Sequence, residues 1–399
     1  MENFVFYAPT KLLFGKGQFE NLPGELAPYG KRILLVYGQN HIKTHGIYDR
    51  VCDMLKQAGV TRFELGGVHP NPRMDLVYKG IELCREEDID FILAVGGGSV
   101  SDTAKAIAAG VKTDFDIWYA FEDFLKRVPD SEKRIPQDAL PIGVIMTKAG
   151  TGSEFDLTAV VTKWEDGAPH EKLLHMNPIF YPKFTICDPT LTYTLPPDQT
   201  AYGMADMMTH YFEQYFTPSE NTEYLDRMKE AVLKTVITCG PHALKDPQDY
   251  VPRADLMYAA MWSCSAQNIT GVVPEWTSHF IEHEITALTD LNHGLGMAII
   301  FPAWMRYVIA DHPSRFARYA SEVWDIPRNG RDDFEIGMEG IERTVEFWSS
   351  LGIPKTWTEA GVDPDVLPIA AKRALRFGTM GSFKELEEED VVKILQSAV

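Results

Sequence analysis

The pattern that most restricts the fold is a set of short, continuously apolar runs, each followed by a stretch of helical periodicity. KRILLVYG (31–38), IDFILAVGGGS (ending at Ser99), PIGVIMT (141–147) and FTICDP (184–189) are the clearest, and RFELGG (ending at Gly67) is a less apolar one. A strand that is apolar at every position has both faces covered, and strands separated by helices return parallel. Helical patterns fall at 45–58, 74–86 and 99–110. The expectation is an α/β unit, a parallel sheet between helical layers. FVFY and KLLFG, within 4–14, read as edge strands. The charged stretch 112–139 reads as an irregular surface excursion. The runs stop at Pro196-Pro197, and helical periodicity takes over at 199–217, 222–239, 254–269, 275–288, 295–310, 337–351 and 388–398. Two domains are expected: 1–195, α/β, and 196–399, all-α.

Charge and cysteine content narrow the partners. A net charge of −19 argues against nucleic acid or an anionic membrane as the main partner. Five scattered cysteines with no CxxC fit reduced thiols in a cytoplasm. The opening MENFVFYAPT is too short and polar for a signal peptide, and no apolar run reaches the ~18 residues that a membrane span requires.

Two glycine-rich loops close strands. Gly96-Gly97-Gly98-Ser99 sits between an apolar run and a helical pattern. Glycines there let the backbone approach a phosphate, and the helix N-terminus offers free N–H groups. Ser99 or Ser101 suits a cap or a phosphate contact. A lone glycine run also marks an empty turn. The second run, from Thr147 through Thr151 to Glu154, shifts the balance toward a dinucleotide across the sheet's carboxyl edge. The N-terminal domain is accordingly read as Rossmann-like. Its first long strand ends at Gly38, where an NAD site commonly carries an acid. Without that acid nothing repels a 2′-phosphate, and Asn40, His41 or Lys43 suits bonding one, so NADP(H) is expected, with NAD(H) as the alternative.

Histidines cluster in the second half. Asp206/His210 and His279/His283 are i, i+4 pairs, each on one face of a helix, and His293 follows ten residues later, ahead of Gly294. Imidazole and carboxylate donors suit one Fe²⁺ or Zn²⁺ ion acting as a Lewis acid. Spacing leaves open which three of His210, His279, His283 and His293 bind. His170 and His175 flank EKLL, which is not a zinc-protease pattern, and carry no metal expectation.

GGGSVSDTAKAIA (96–108), TKAGTGSE (147–154), DPTLTYTLP (188–196), GMADMMTHYFEQY (203–215) and HFIEHEITALTDLNHG (279–294) together resemble the iron-containing (group III) alcohol dehydrogenases, in the NADPH-dependent butanol dehydrogenase and aldehyde reductase branch. The resemblance spans essentially the whole chain. It implies a nucleotide-binding domain, a helical metal-binding domain and a homodimer. It implies metal ligation by Asp206, His210, His279 and His293, with His283 beside the nicotinamide and substrate as proton relay. It implies cofactor contacts at Gly97, Gly98, Ser99, Asp102, Thr147, the loop through Thr151, and Lys172. Lys148 stands where the family has threonine. The implied reaction is reversible hydride transfer between NADP(H) and small primary alcohols or aldehydes. A polyol-phosphate dehydrogenase or a dehydroquinate-synthase-like lyase is the rival. Those anionic substrates call for lysine or arginine around the metal, and 203–215 and 262–296 contain neither. Phe155, Met207, Trp262 and Trp276 suit a neutral, partly apolar substrate instead.

Overall fold

The computed structural model describes residues 1–129, 132–164 and 171–399, so His170 lies outside the described residues. The chain divides into two compact units, Tyr7–Leu195 and Met1–Phe6 with Pro196–Val399.

The first unit is built on a six-stranded, wholly parallel sheet. Its strands are β1 (Lys11–Phe14), β2 (Arg32–Tyr37), β3 (Thr61–Leu65), β4 (Phe91–Gly96), β5 (Ile142–Met146) and, after the hairpin of β6 (Thr158–Lys163) and β7 (Glu171–Met176), β8 (Phe184–Cys187). The order is β1-β8-β5-β4-β2-β3. Alternate residues of one strand enter different cores. Leu34, Val36, Ile92, Ala94 and Val144 pack on one face, with Val77, Ala104, Ile107 and Phe121. Ile33, Leu35, Leu93, Val95 and Ile145 pack on the other, with Ile47, Val51, Leu55 and Phe19. This double burial is why the strands read as unbroken apolar runs. The covering helices include α1 (Ile47–Gln57), α2 (Met74–Glu86), α3 (Gly98–Lys112) and α4 (Trp118–Leu125).

From β2 the chain adds β3 on one side and then crosses to the other side for β4. The order therefore reverses between β2 and β4, and a crevice outside the carboxyl ends of such strands is where α/β sheets bind ligands. Gly38 follows one of these strands and Gly96-Gly97 ends the other.

Three details depart from the sequence reading. The expected excursion 112–139 contains α4, with Trp118 and Phe121 buried in the core. Its charged neighbours masked a helical spacing of apolar residues. FVFY is not a strand: Phe4 to Tyr7 are exposed, Val5 to 89%. The β6–β7 hairpin, antiparallel and separate from the main sheet, had no apolar run to announce it.

The second unit is helical: α5 (Pro197–Tyr215), α6 (Glu223–Lys245), α7 (Tyr250–Ser263), α8 (Thr277–Thr289), α9 (His293–Val308), α10 (Pro313–Trp324), α11 (Asp333–Ser350), α12 (Leu367–Ala374) and α13 (Glu388–Gln396). The pattern at 254–269 resolves into α7 and a short helix, Ala266–Ile269. Helices α10 and α12 are additions to the expected set. The core gathers Phe212, Tyr215, Phe216, Phe301, Trp304, Phe316 and Tyr319, with ring centroids 4.5–6.4 Å apart. No helix of the described residues is long and apolar enough to cross a membrane.

Candidate metal and cofactor sites

Three helices bring the metal candidates together. Asp206 and His210 are one turn apart on α5, His279 and His283 one turn apart on α8, and His293 opens α9. Asp206, His210, His279 and His283 are buried, and His293 is partly exposed. One potential ligand atom each from Asp206, His279 and His293 lie within 4.8 Å of one another. His293 Nε2 is 3.7 Å and His210 Nδ1 3.4 Å from Asp206 Oδ1. A tetrahedral ion about 2.1 Å from each donor holds its ligands about 3.4 Å apart, so these separations suit one ion. His210 stands beside this group without belonging to it, its ring centroid 4.6 Å from that of His279. His283 falls in a second grouping with Glu282 and His293, its ring 5.5 Å from that of His293.

The residues present fit a cation. Asp206 Oδ1 is buried and accepts no hydrogen bond from the described residues. A buried carboxylate oxygen without a donor is costly, and a divalent ion removes that cost. The donors, imidazole nitrogen and carboxylate oxygen, are those that bind Zn²⁺ and Fe²⁺.

Two carboxylates that the sequence reading passed over complete the centre. Glu213, on α5, lies 2.7 Å from His279 Nδ1, and Glu282, on α8, bonds His293 Nδ1; both are fully buried. Glu213 also accepts the backbone N–H groups of Trp276 at 2.8 Å and His279 at 3.3 Å. Burial raises its carboxyl, and those two bonds lower it. Trp276 precedes α8 with φ +60°, a left-handed conformation uncommon for so bulky a residue. Its indole packs edge-on to His210 and His279. The signal for Glu213 was its position seven residues after Asp206, on the same helix face.

In the first unit, the glycine loop leads into α3. Gly97 caps the helix with no side-chain bond, so the first N–H groups of α3 are those a phosphate can use. At Gly98 a Cβ would lie 2.2 Å from Thr151 Oγ1, so only glycine lets the two loops come together. Thr147 N donates to Gly96 O at 2.9 Å, joining the strand ends. Lys148 lies against Gly97. Ser99 spends its hydroxyl on Pro70 O. Asn40 is exposed, and its carbonyl starts the short helix His41–Thr44. Lys172 is buried on β7.

Asp102 is committed within the protein. It accepts from Ser153 Oγ at 2.6 Å and Val160 N at 3.2 Å, and burial raises its carboxyl to about 7 against the pull of Lys105. Lys105, fully buried and missed from sequence, donates to Ser153 O, Asp156 Oδ1 and Thr158 O at 2.6–2.7 Å. Together they fasten the 153–160 segment to α3. Glu154 is fully buried with no donor to either carboxyl oxygen among the described residues, and desolvation pushes it up to about 8.

Comparison with known proteins covers both units. The family model "Iron-containing alcohol dehydrogenase" matches residues 9–189, and "Fe-containing alcohol dehydrogenase family, C-terminal" matches 200–399. The chain is 44% identical to the "Probable NADH-dependent butanol dehydrogenase 1" of Bacillus subtilis over 399 residues, all of both chains. It is 35% identical to the NADPH-dependent aldehyde reductase YqhD of Escherichia coli, over 95% of this chain and 94% of the other. The crystal structure of NADH-dependent butanol dehydrogenase A from Thermotoga maritima superposes with a TM-score of 0.92 at 35% identity, covering 100% of this chain and 99% of that one.

Proposed function

Because the chain belongs to the iron-containing alcohol dehydrogenase family, we propose that it reduces short-chain aldehydes to primary alcohols, reversibly, with NADP(H) and one Fe²⁺ or Zn²⁺ ion. It is an alcohol dehydrogenase and aldehyde reductase that works with a nicotinamide cofactor and a metal. The observation that carries the reading is the grouping of Asp206, His279 and His293 around one point.

The ion's holders are Asp206, His279 and His293, with His210 as fourth ligand. Bound there, a divalent ion supplies a Lewis acid for the substrate oxygen. A nicotinamide held by the glycine loops of the first unit would supply the hydride chemistry. His283, buried one turn from His279, moves the proton to or from the alcohol oxygen. Trp276 gives the centre an apolar wall, which favours a neutral substrate, and Met207 is buried next to Asp206 in the chain. The polyol-phosphate and lyase readings gain no support. Arg373 and Arg376, which reach α8, bond Glu284.

Gly98, Thr147 and Thr151 would hold the dinucleotide phosphates, with Gly97, Ser99, Asp102 and Lys172 as the further residues of that site. The NADP(H) preference rests on Gly38. The space at Gly38 is open, with Val68 O at 3.9 Å from a Cβ, so a side chain would fit there and the absent acid is not a steric necessity. The relatives' names divide between the cofactors, NADH for the butanol dehydrogenases of Bacillus subtilis and Clostridium acetobutylicum, and NADPH for YqhD and for the butanol dehydrogenase of Clostridium saccharobutylicum. Five cysteines, none of them in a disulfide, suit a reducing cytoplasm. Phe4, Val5, Phe6 and Tyr7, exposed in a row, suit a homodimer contact.

The test is reduction of C2–C8 aldehydes with NADPH and NADH, with elemental analysis of the purified protein. Chelation and His279→Ala are expected to lower turnover at least 10²-fold. Gly38→Asp is expected to shift the kcat/KM ratio toward NADH tenfold or more. Full activity after both chelation and His279→Ala would reject the metal's role.

A further inference from the structure

We propose that Glu213 and Glu282 are the paired positioning residues of the metal centre, each holding one imidazole by Nδ1 so that its Nε2 is aimed at the ion. The proposal rests on reading Asp206, His279 and His293 as ligands. An imidazole that donates from Nδ1 carries its lone pair on Nε2, so the carboxylate decides the tautomer. A carboxylate behind the ring also makes the ligand nitrogen more basic.

The geometry is the same at both histidines, although they stand on different helices. Glu213 Oε1 is 2.7 Å from His279 Nδ1, and Glu282 Oε2 bonds His293 Nδ1. The opposite edge of the His293 ring, Nε2, faces Asp206 Oδ1 at 3.7 Å. Both carboxylates are fully buried and are held by further bonds. Glu213 takes two backbone N–H groups at the start of α8, one from the left-handed Trp276. Glu282 accepts from Thr286 Oγ1. It also lies against Gly296, where a Cβ would sit 2.6 Å from Glu282 Oε1. Position 296 has room for glycine alone because Glu282 occupies the space that a side chain would take.

This arrangement assigns roles within the cluster. Glu282 groups with His283 and His293 as a possible ligand. Its bond to His293 Nδ1 makes it the support behind that ring instead. His293 then serves the ion shared with Asp206 and His279, and His283 stays the proton carrier of the proposed reaction.

The experiment uses the full chain with Glu213→Gln and Glu282→Gln, each near-isosteric and uncharged. Zn²⁺ affinity is read by competition with a chromophoric chelator, and the site's ligand field by absorption of the Co²⁺-loaded protein. Each variant is expected to bind Zn²⁺ 10–100-fold more weakly and to show a displaced Co²⁺ spectrum. Unchanged affinity and spectrum in a variant folded by circular dichroism would overturn the proposal. Should Glu213→Gln fail to fold, Glu282→Gln carries the test alone. Outright loss of the ion in Glu282→Gln, beyond a hundredfold, would make Glu282 a ligand and overturn its positioning role. Asp206→Ala separates the two levels. If it binds Zn²⁺ as the wild type does, the metal reading falls and this proposal with it. If it loses the ion while the glutamine variants keep theirs, the positioning roles alone fall.

Discussion

His175 shows how a single buried group sets a pH limit. It is buried among Phe121, Phe124 and Phe180, with ring centroids 5.5–5.7 Å away, and neither ring nitrogen has a hydrogen-bond partner among the described residues. Burial, then the nearby Lys133, lowers its pKa from 6.5 to about 4. The unfolded chain therefore takes up a proton below 6.5 that the folded chain refuses until about 4. Its contribution is fully present above 6.5 and is lost as pH falls toward 4, about 3 kcal/mol in all. His175→Leu is expected to flatten the acid limb of a urea-denaturation series between pH 6.5 and 4. An unchanged limb would assign that loss to other groups. Nothing about His175 in the sequence separated it from a surface histidine. Its aromatic neighbours lie up to 54 positions away and meet it only in the fold.

At the scale of elements, the site depends on how helices begin. α8 starts at the strained Trp276, and α9 starts at His293 itself. α9 packs against α11, whose start is secured conventionally. Asp332 accepts from Glu335 N at 2.8 Å, and Glu335 reaches back to Asp332 N at 3.2 Å, a complete capping box. Asp332→Ala is expected to lower unfolding free energy by about 1 kcal/mol, measured by chemical denaturation, with Zn²⁺ affinity unchanged. A large loss of affinity would mean that α11 holds α9 in place more directly than packing alone implies. The capping residues of α11 stand together in the sequence as Asp332-Asp333-Phe334-Glu335, so this helix start was available to be read. The support of α8 was not, because the partners, Glu213 and Trp276, are 63 residues apart.

At the scale of the whole molecule, ion binding and folding are linked. The proposed site is assembled from three helices and exists only in the folded chain, so an ion bound there at a thousand times its Kd would add about 4 kcal/mol. Chelation is expected to lower the thermal midpoint by several degrees, and Asp206→Ala to make the midpoint insensitive to the chelator. Equal shifts in wild type and variant would show the ion acting elsewhere. From its sequence alone, the chain determined the parallel strands, because burial on both faces leaves an uninterrupted apolar record. It also determined the change of character after Pro196 and the histidine pairs one helical turn apart, since both are local periodicities. Only the tertiary structure decided the strand order that brings Gly38 and Gly96 to the reversal of the sheet. Only there does His293 meet Asp206, and do Glu213 and Glu282 come to stand behind His279 and His293. Hydrogen bonds and metal coordination act over a few ångströms between residues far apart in the chain, and no periodicity along a sequence encodes that distance.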